Sequence, residues 1–185
     1  MGPVDKAFAN IPRHHFVLDG YADHADIDAP LPIGFGQTIS QPTTVKMMLE
    51  WLEVEPGDKI LDVGSGSGWT TALLGYLTGS KGRVYAVERI PELVEFGKAN
   101  VRDAGIKNAQ FHQSGEQFGL PQFAPYDRIL VSAAGDKVPQ PLIDQLKVGG
   151  KMVIPIRNDI LEIEKLAKDK IETAKHPGFV FVPLV

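Results

Sequence analysis

The sequence predicts an α/β fold in which a doubly wound, seven-stranded and mostly parallel sheet carries helices on both faces. Strand-like and helix-like segments alternate between residues 42 and 156, which is the pattern of a parallel sheet. The apolar segment 59–63 runs directly into a glycine-rich loop that opens a helix. Two more strand-like segments, 160–166 and 179–182, follow and are expected to close the sheet.

The chain before the sheet is expected to form one amphipathic segment, one loop and one helix. The amphipathic segment covers residues 4–9, and the polar, acidic residues 19–31 are expected to form an exposed loop. A proline at the start of segment 42–52 suits the first position of a helix. Ser40 or Gln41 would then lie at the cap of that helix.

Strands and helices are expected to alternate in the sheet region, except that no helix is expected between the third and fourth strands. Prolines and glycines mark most of their ends, as at Pro91 and at the pair Gly149 and Gly150. Strands are expected at 59–63, 83–88, 109–112, 126–132 and 151–156, and helices at 70–77, at 91–104 and up to 149–150.

Composition excludes several classes of function. The 185 residues suit a single domain, and a net charge of −4 without a basic cluster does not favour nucleic acid as a partner. The absence of cysteine suits a cytoplasmic location, and no apolar run approaches the roughly twenty residues that cross a membrane. The adjacent His14 and His15 would face different ways, so no metal site is expected.

The glycine loop and the acid that follows it predict a binding site for a nucleoside. Glycines at 64, 66 and 68 let the backbone turn sharply and lie against a ligand. Trp69 stands where a dinucleotide-binding loop carries its third glycine, which disfavours a nicotinamide oxidoreductase. Glu88 ends the next strand and is placed to hold the two hydroxyls of a ribose. This combination is typical of S-adenosylmethionine-dependent methyltransferases.

A second motif, Thr38-Ile39-Ser40-Gln41-Pro42, precedes the first long helix. Ser40 could simply cap that helix, which is a common task for serine. Alternatively, the hydroxyls of Thr38 and Ser40 could combine with the free N–H groups of the helix start to receive an anion. The two interpretations are compatible.

With these motifs the chain resembles the protein-L-isoaspartate (D-aspartate) O-methyltransferase family over roughly residues 30–184. The resemblance also includes Val87-Glu88-Arg89-Ile90, Ala124-Pro125-Tyr126-Asp127 and the ending Phe181-Val182-Pro183-Leu184. It implies a Rossmann-like class I methyltransferase fold and methyl transfer to isoaspartyl carboxylates in damaged proteins and peptides. It also implies one domain, with a cap and substrate loop in 1–41, a cofactor-binding core in 42–156 and closing strands in 157–185. A monomer is expected.

The resemblance assigns roles to individual residues. Thr38, Ile39 and Ser40 would bind the substrate, with Ser40 as the catalytic residue that orients the acceptor carboxylate. S-adenosyl-L-methionine would be bound by Thr38, Asp62, Gly64, Ser65, Gly66, Ser67, Gly68, Glu88, Arg89, Gly115 and Glu116.

One motif departs from the family pattern. Members usually carry Gly-Asp-Gly after the third strand, where this chain has Ser114-Gly115-Glu116. Either Glu116 reaches back toward the adenine, or backbone groups hold it. Two rival functions follow, namely methyl transfer to another carboxylate, such as an aspartate in a modified peptide, and a cofactor-binding scaffold without turnover.

Overall fold

The computed structural model of the chain describes residues 1–184. Five α-helices lie at α1 Pro3–Asn10, α2 Pro42–Leu52, α3 Trp69–Thr78, α4 Pro91–Asp103 and α5 Gln140–Gln145. The strands are β1 Leu31–Gly34, β2 Gln37–Ile39, β3 Lys59–Val63, β4 Arg83–Glu88, β5 Ala109–Gln113, β6 Tyr126–Val131, β7 Leu146–Ile156, β8 Asp159–Ala167 and β9 Lys170–Pro177. Short 3-10 helices lie at Arg13–Phe16, Asp19–His24 and Pro121–Phe123.

The main sheet has seven strands in the order β5-β4-β3-β6-β7-β8-β9. The first five are parallel, and β8 and β9 add antiparallel to β7. This confirms the predicted α/β class and the strand number. The chain passes from β3 to β4 and β5 on one side, then returns to place β6 on the other side of β3. A crevice therefore opens at the carboxyl ends of β3 and β6, which is where open α/β sheets bind ligands.

The core forms two apolar layers, one on each face of the sheet. Consecutive residues of β3 point to opposite faces, so Ile60 packs in one layer and Leu61 in the other. Helices α2, α3 and α4 cover the first layer, with Leu49, Leu73 and Leu93 fully buried in it. Helix α5 covers the second layer.

The C-terminal strand lies elsewhere than predicted. The seventh strand is β9, formed by the polar residues Lys170–Pro177, whereas residues 179–182 are in no strand. Gly178, with φ +98°, turns the chain away from the sheet edge. Phe179 and Phe181 then pack against the first apolar layer, while Val180 is 89% exposed. Their alternation therefore reflects packing across the molecule and not a β-ladder.

Three further elements differ from the sequence prediction. The helix expected to end at Gly149 and Gly150 ends at Gln145, and β7 begins at once with Leu146. Residues 19–31 contain a 3-10 helix, and residues 31–39 form the hairpin β1/β2, which the sequence did not predict. Pro32 and the glycines of this hairpin obscure its alternating pattern.

Within residues 1–184, no helix is both long and apolar enough to cross a bilayer. The same residues contain no group of three histidine, aspartate or glutamate side chains arranged to hold a metal ion.

Candidate active site

The glycine loop joins β3 to α3 at the crevice of the sheet. Gly68 begins α3 with φ +85°, and a Cβ at this position would lie 2.7 Å from the carbonyl oxygen of Gly97. Only glycine allows α3 and α4 to approach so closely. Gly64, Ser65, Gly66 and Ser67 line a cavity at this edge of the sheet, whereas Gly68 faces α4.

Glu88 fixes the loop from the neighbouring strand. Its Oε2 accepts a hydrogen bond from the Gly66 N–H at 3.0 Å, and its Oε1 accepts from the N–H groups of Arg89 at 2.7 Å and Ile90 at 3.0 Å. The carboxylate is 8% exposed and lines the cavity. Because two carboxylate oxygens offer about four acceptor positions, Glu88 retains capacity for a hydroxyl of a ligand.

Asp62 lies beneath the glycine loop and does not line the cavity. Its Oδ2 accepts from the hydroxyls of Thr70 at 2.9 Å and Thr71 at 2.6 Å, so it ties β3 to the first turn of α3. Complete burial raises the pKa of Asp62 to about 6, although both threonine hydroxyls oppose that shift. The resemblance implied a cofactor contact for Asp62, but the structure places this carboxylate behind the loop as a support.

The far end of the cavity is formed by residues after β5. Ser114, Gln117, Phe118 and Gly119 line it, and the Ser114 N–H donates to the Glu88 carbonyl at 2.8 Å. Gly115 and Glu116 are exposed and lie outside the lining. Glu116 therefore does not lie where the resemblance implied an acid, and the neighbouring residues 117–119 were missed by the sequence. Their position directly after a parallel strand was the available signal.

The opposite wall is a strap made of β1, β2 and the residues up to α2. Thr38 is exposed and Ser40 is half-buried, and both line the cavity. Ile39, 5% exposed, also lines the cavity and is part of the first apolar layer. The predicted substrate residues and the glycine loop thus line the same cavity.

Ser40 does not cap α2. The N-cap residue is Gln41, which makes no side-chain capping bond, and the N–H of Thr43 donates to Oδ1 of Asp28 at 2.8 Å. Asp28 therefore supplies the capping oxygen from the preceding loop. This leaves the Ser40 hydroxyl available to a ligand. Of the helix N–H groups proposed as anion donors, that of Thr43 is already bonded to Asp28.

Arg13 ties the strap to the body of the protein. Its buried guanidinium donates to five carbonyl oxygens, those of Ala25, Ile27, Ala29, Ile39 and Ser40. Desolvation lowers the pKa of Arg13 from its usual value. The guanidinium also lies 5.6 Å from the ring of Trp69, whose Nε1 donates to the Ile11 carbonyl at 3.1 Å. Trp69 thus holds the N-terminal segment against α3.

A second cavity opens on the other side of the strap. It is lined by the start of α2 and by the C-terminal segment, including Met47, Phe179 and Phe181. The two cavities share four lining residues, Thr38, Ser40, Ser132 and Val182. The arrangement can hold one molecule along the glycine loop and a second, extended molecule in the outer cavity, with their ends meeting at three hydroxyls.

Solved structures of methyltransferases share this fold. A chain described as protein-L-isoaspartate O-methyltransferase superposes with a TM-score of 0.91 at 30% identity, covering 100% of this chain and 62% of that chain. A Plasmodium falciparum protein described in the same terms, in complex with S-adenosyl-L-homocysteine, gives a TM-score of 0.88 at 25% identity, covering 100% of this chain and 91% of that one. Precorrin-6y C5,15-methyltransferase from Geobacter metallireducens shares the fold. It superposes with a TM-score of 0.57 at 22% identity, and the match covers 70% of this chain and 68% of that chain.

Sequence relatives agree with the structures. Protein-L-isoaspartate O-methyltransferase of Pyrococcus horikoshii is 45% identical over 187 residues, covering 98% of this chain and 84% of that protein. The Aeropyrum pernix protein of the same name is 48% identical, with 98% and 72% covered. The sequence model of the family described as Protein-L-isoaspartate(D-aspartate) O-methyltransferase (PCMT) matches residues 2–185. The chain therefore belongs to the protein-L-isoaspartate (D-aspartate) O-methyltransferase family.

Proposed function

We propose that this chain transfers the methyl group of S-adenosyl-L-methionine to the carboxylate of L-isoaspartyl residues in damaged proteins and peptides, the first step of their repair. The observation that carries this proposal is the meeting of the two cavities at Thr38, Ser40 and Ser132. One cavity has the glycine loop and acid of a nucleoside site, and the other combines apolar side chains, among them Met47 and Phe181, with polar ones, a mixture that suits a peptide.

The residues present fit the cofactor. Glu88 would hold the ribose hydroxyls, and the buried Ser65 hydroxyl, which has no partner within residues 1–184, offers a further polar contact. Ser114 and Gln117 lie where adenine is expected, so the lining favours neighbouring and backbone groups over Glu116 for its recognition. Arg89 lies exposed at the rim of the cavity. When bound, S-adenosyl-L-methionine supplies a methyl group on a positively charged sulfur.

The chemistry needs no general base. A carboxyl group has a pKa near 4, so at neutral pH the acceptor oxygen is already an anion that can attack the methyl carbon. The four residues shared by the cavities carry no charge. Thr38 and Ser40 can therefore orient the carboxylate by hydrogen bonds without the strong ground-state stabilisation that a lysine or arginine would add.

Placement is the main contribution of the protein. Holding the carboxylate in line with the methyl carbon and sulfur can supply about 7–11 kcal/mol of the barrier. The opposite charges disappear as the new bond forms, so displacement of water by the bound cofactor and peptide costs the reactants more than the transition state.

The experiment is a paired-peptide methylation assay with the purified chain. We expect methyl transfer from labelled S-adenosyl-L-methionine to an isoaspartyl peptide, and a kcat/KM at least about 100-fold lower for the aspartyl twin, because each misplaced carboxylate loses oriented hydrogen bonds and alignment. Equal methylation of both peptides would favour the rival carboxylate methyltransferase. Tight cofactor binding without transfer to either would favour the scaffold.

Ser40→Ala tests the role of the strap in the same assay. Loss of one oriented donor is expected to reduce kcat by about 10-fold or more. Ser80→Ala is the matched control, since Ser80 is an exposed serine on the turn between α3 and β4, outside both cavities. An unchanged kcat for Ser40→Ala would rule out the proposed role of Ser40.

The monomeric state and the cytoplasmic location are proposals, the location being expected from the absence of cysteine. Light scattering of the purified chain measures the first, and fractionation of cells measures the second. The division into 1–41, 42–156 and 157–185 is likewise our proposal, supported by the position of the strap and of β8 and β9 outside the parallel core.

A further inference from the structure

Ser132 lies at the centre of the crevice, directly after β6. Its N–H donates to the carbonyl of Val63, the last residue of β3, at 2.9 Å. This bond joins the carboxyl ends of two adjacent parallel strands, so the position of Ser132 is set by the sheet. Thr38 and Ser40 of the strap line the same two cavities as Ser132.

The hydroxyl of Ser132 is buried and makes no hydrogen bond to any other group within residues 1–184. A serine hydroxyl can donate one hydrogen bond and accept two, and a buried one almost always has a partner. Ser132 lines both cavities, so a bound molecule can supply the missing partner.

A comparison with Ser65 indicates which bound molecule supplies the hydrogen-bond partner of the Ser132 hydroxyl. Ser65 also has a buried hydroxyl without a partner among the described residues, but it lines the first cavity alone. Ser132 belongs instead to the four residues at which the cavities meet. Under the proposed function, the acceptor carboxylate occupies that meeting point.

We propose that Ser132 is a third hydroxyl of the substrate site and donates a hydrogen bond to one oxygen of the isoaspartyl carboxylate. This inference rests on the proposed function. Ser40 and Thr38 bind the carboxylate from the strap, and Ser132 binds it from the sheet, which fixes the plane of the carboxylate. The free lone pair of the acceptor oxygen forms the new C–O bond, the C–S bond breaks, and sulfur keeps its electron pair. No proton is transferred, so Ser132 acts as a donor and not as a base.

The test compares Ser132→Ala, Ser132→Cys and Ser65→Ala. We expect Ser132→Ala to lower kcat/KM for the isoaspartyl peptide by about 10- to 100-fold, because the carboxylate loses one of the hydrogen bonds that align it with the methyl carbon. Ser132→Cys, similar in size but a weak donor, is expected to lose nearly as much. Affinity of both variants for S-adenosyl-L-homocysteine, measured by calorimetry, should stay within about twofold of the wild type. Ser65→Ala is expected to weaken that affinity about fivefold.

Thermal melting separates this role from a structural one. Removing a buried hydroxyl that has no partner should leave the melting temperature of Ser132→Ala equal to or above that of the wild type. A kcat/KM within twofold of wild type would overturn the inference, as would a loss of activity matched by an equal loss of cofactor affinity or by a lower melting temperature. A wild-type protein that binds cofactor but methylates no isoaspartyl peptide would instead contradict the proposed function.

Discussion

Replacement of Arg13 by methionine tests whether one buried guanidinium holds the strap in place. Methionine keeps a long, apolar side chain but removes every donor from five carbonyl oxygens. Three of these carbonyls belong to the loop 25–29, and two belong to residues 39 and 40 of the strap. Asp28 of the same loop makes a further bond to this part of the chain, accepting from the N–H of Thr43 at the start of α2.

The magnitude follows from the burial of the bonds. Two of the five, to Ala25 and Ile39, are fully buried, and hydrogen bonds to a charged group contribute about 1.5–3 kcal/mol each. The three half-buried carbonyls can partly recover bonds to water, and removal of the charge also removes its desolvation cost. We therefore expect Arg13→Met to lower the free energy of unfolding by about 3–5 kcal/mol. For a chain of this size that is a fall of about 6–20 °C in Tm.

The assay is thermal or urea unfolding of three variants. Arg13→Lys keeps the charge but has three donors for five acceptors, so an intermediate loss is expected. Arg102→Met is the matched control, because Arg102 is exposed on α4 and pairs with the exposed Asp103. It should change the free energy of unfolding by no more than about 0.5 kcal/mol. A Tm for Arg13→Met within about 2 °C of the wild type would refute this account of the strap.

Three further predictions concern the cofactor side. Glu88→Ala should weaken calorimetric affinity for S-adenosyl-L-homocysteine about 10- to 100-fold with little change in peptide KM, and unaltered affinity would contradict the ribose contact. Asp62, with a native pKa of about 6 against about 3.9 when unfolded, binds its proton more tightly in the folded state. Its contribution to stability is therefore complete below pH 4 and is lost as the pH rises through 6. The free energy of unfolding should fall by about 3 kcal/mol over this range, as measured by urea titrations at pH 4–7. Asp62→Asn should lack this pH dependence. An identical slope in both proteins would exclude this contribution. Gly68→Ala should lower Tm sharply, because the added Cβ would meet the Gly97 carbonyl. Gly20→Ala is the control and should be tolerated, because a Cβ at Gly20 has open space. Equal Tm values for the two variants would exclude the clash.

Sequence analysis predicted the parts of the site whose residues lie close together along the chain. The glycine loop, its flanking strand and helix, and Glu88 lie within thirty residues of one another, and the positive φ of Gly68 favours glycine there. The hydroxyl motif before α2 was also identified. The interpretation of Ser40 as a helix cap is wrong, because Asp28 from the preceding loop takes that role.

Other parts of the site depend on contacts between residues far apart in the sequence, which short sequence patterns do not predict. Arg13 binds main-chain carbonyls up to 27 residues away, and any residue type can supply a carbonyl. Ser132 reaches the crevice because β6 pairs with β3, which is a property of strand order. The segment 179–182 shows the opposite error, since an alternating apolar pattern indicates one buried face but not whether that face belongs to a sheet.

The central claim is that the acceptor carboxylate and the sulfur of the cofactor meet where the two cavities join. A crystal structure of the chain with S-adenosyl-L-homocysteine and an isoaspartyl peptide measures this directly. We predict the sulfur beside residues 64–67 and a carboxylate oxygen within about 3.5 Å of the Ser40 hydroxyl, on the side that faces the sulfur. A peptide carboxylate bound outside this junction, or a nucleoside bound away from the glycine loop, would contradict the account.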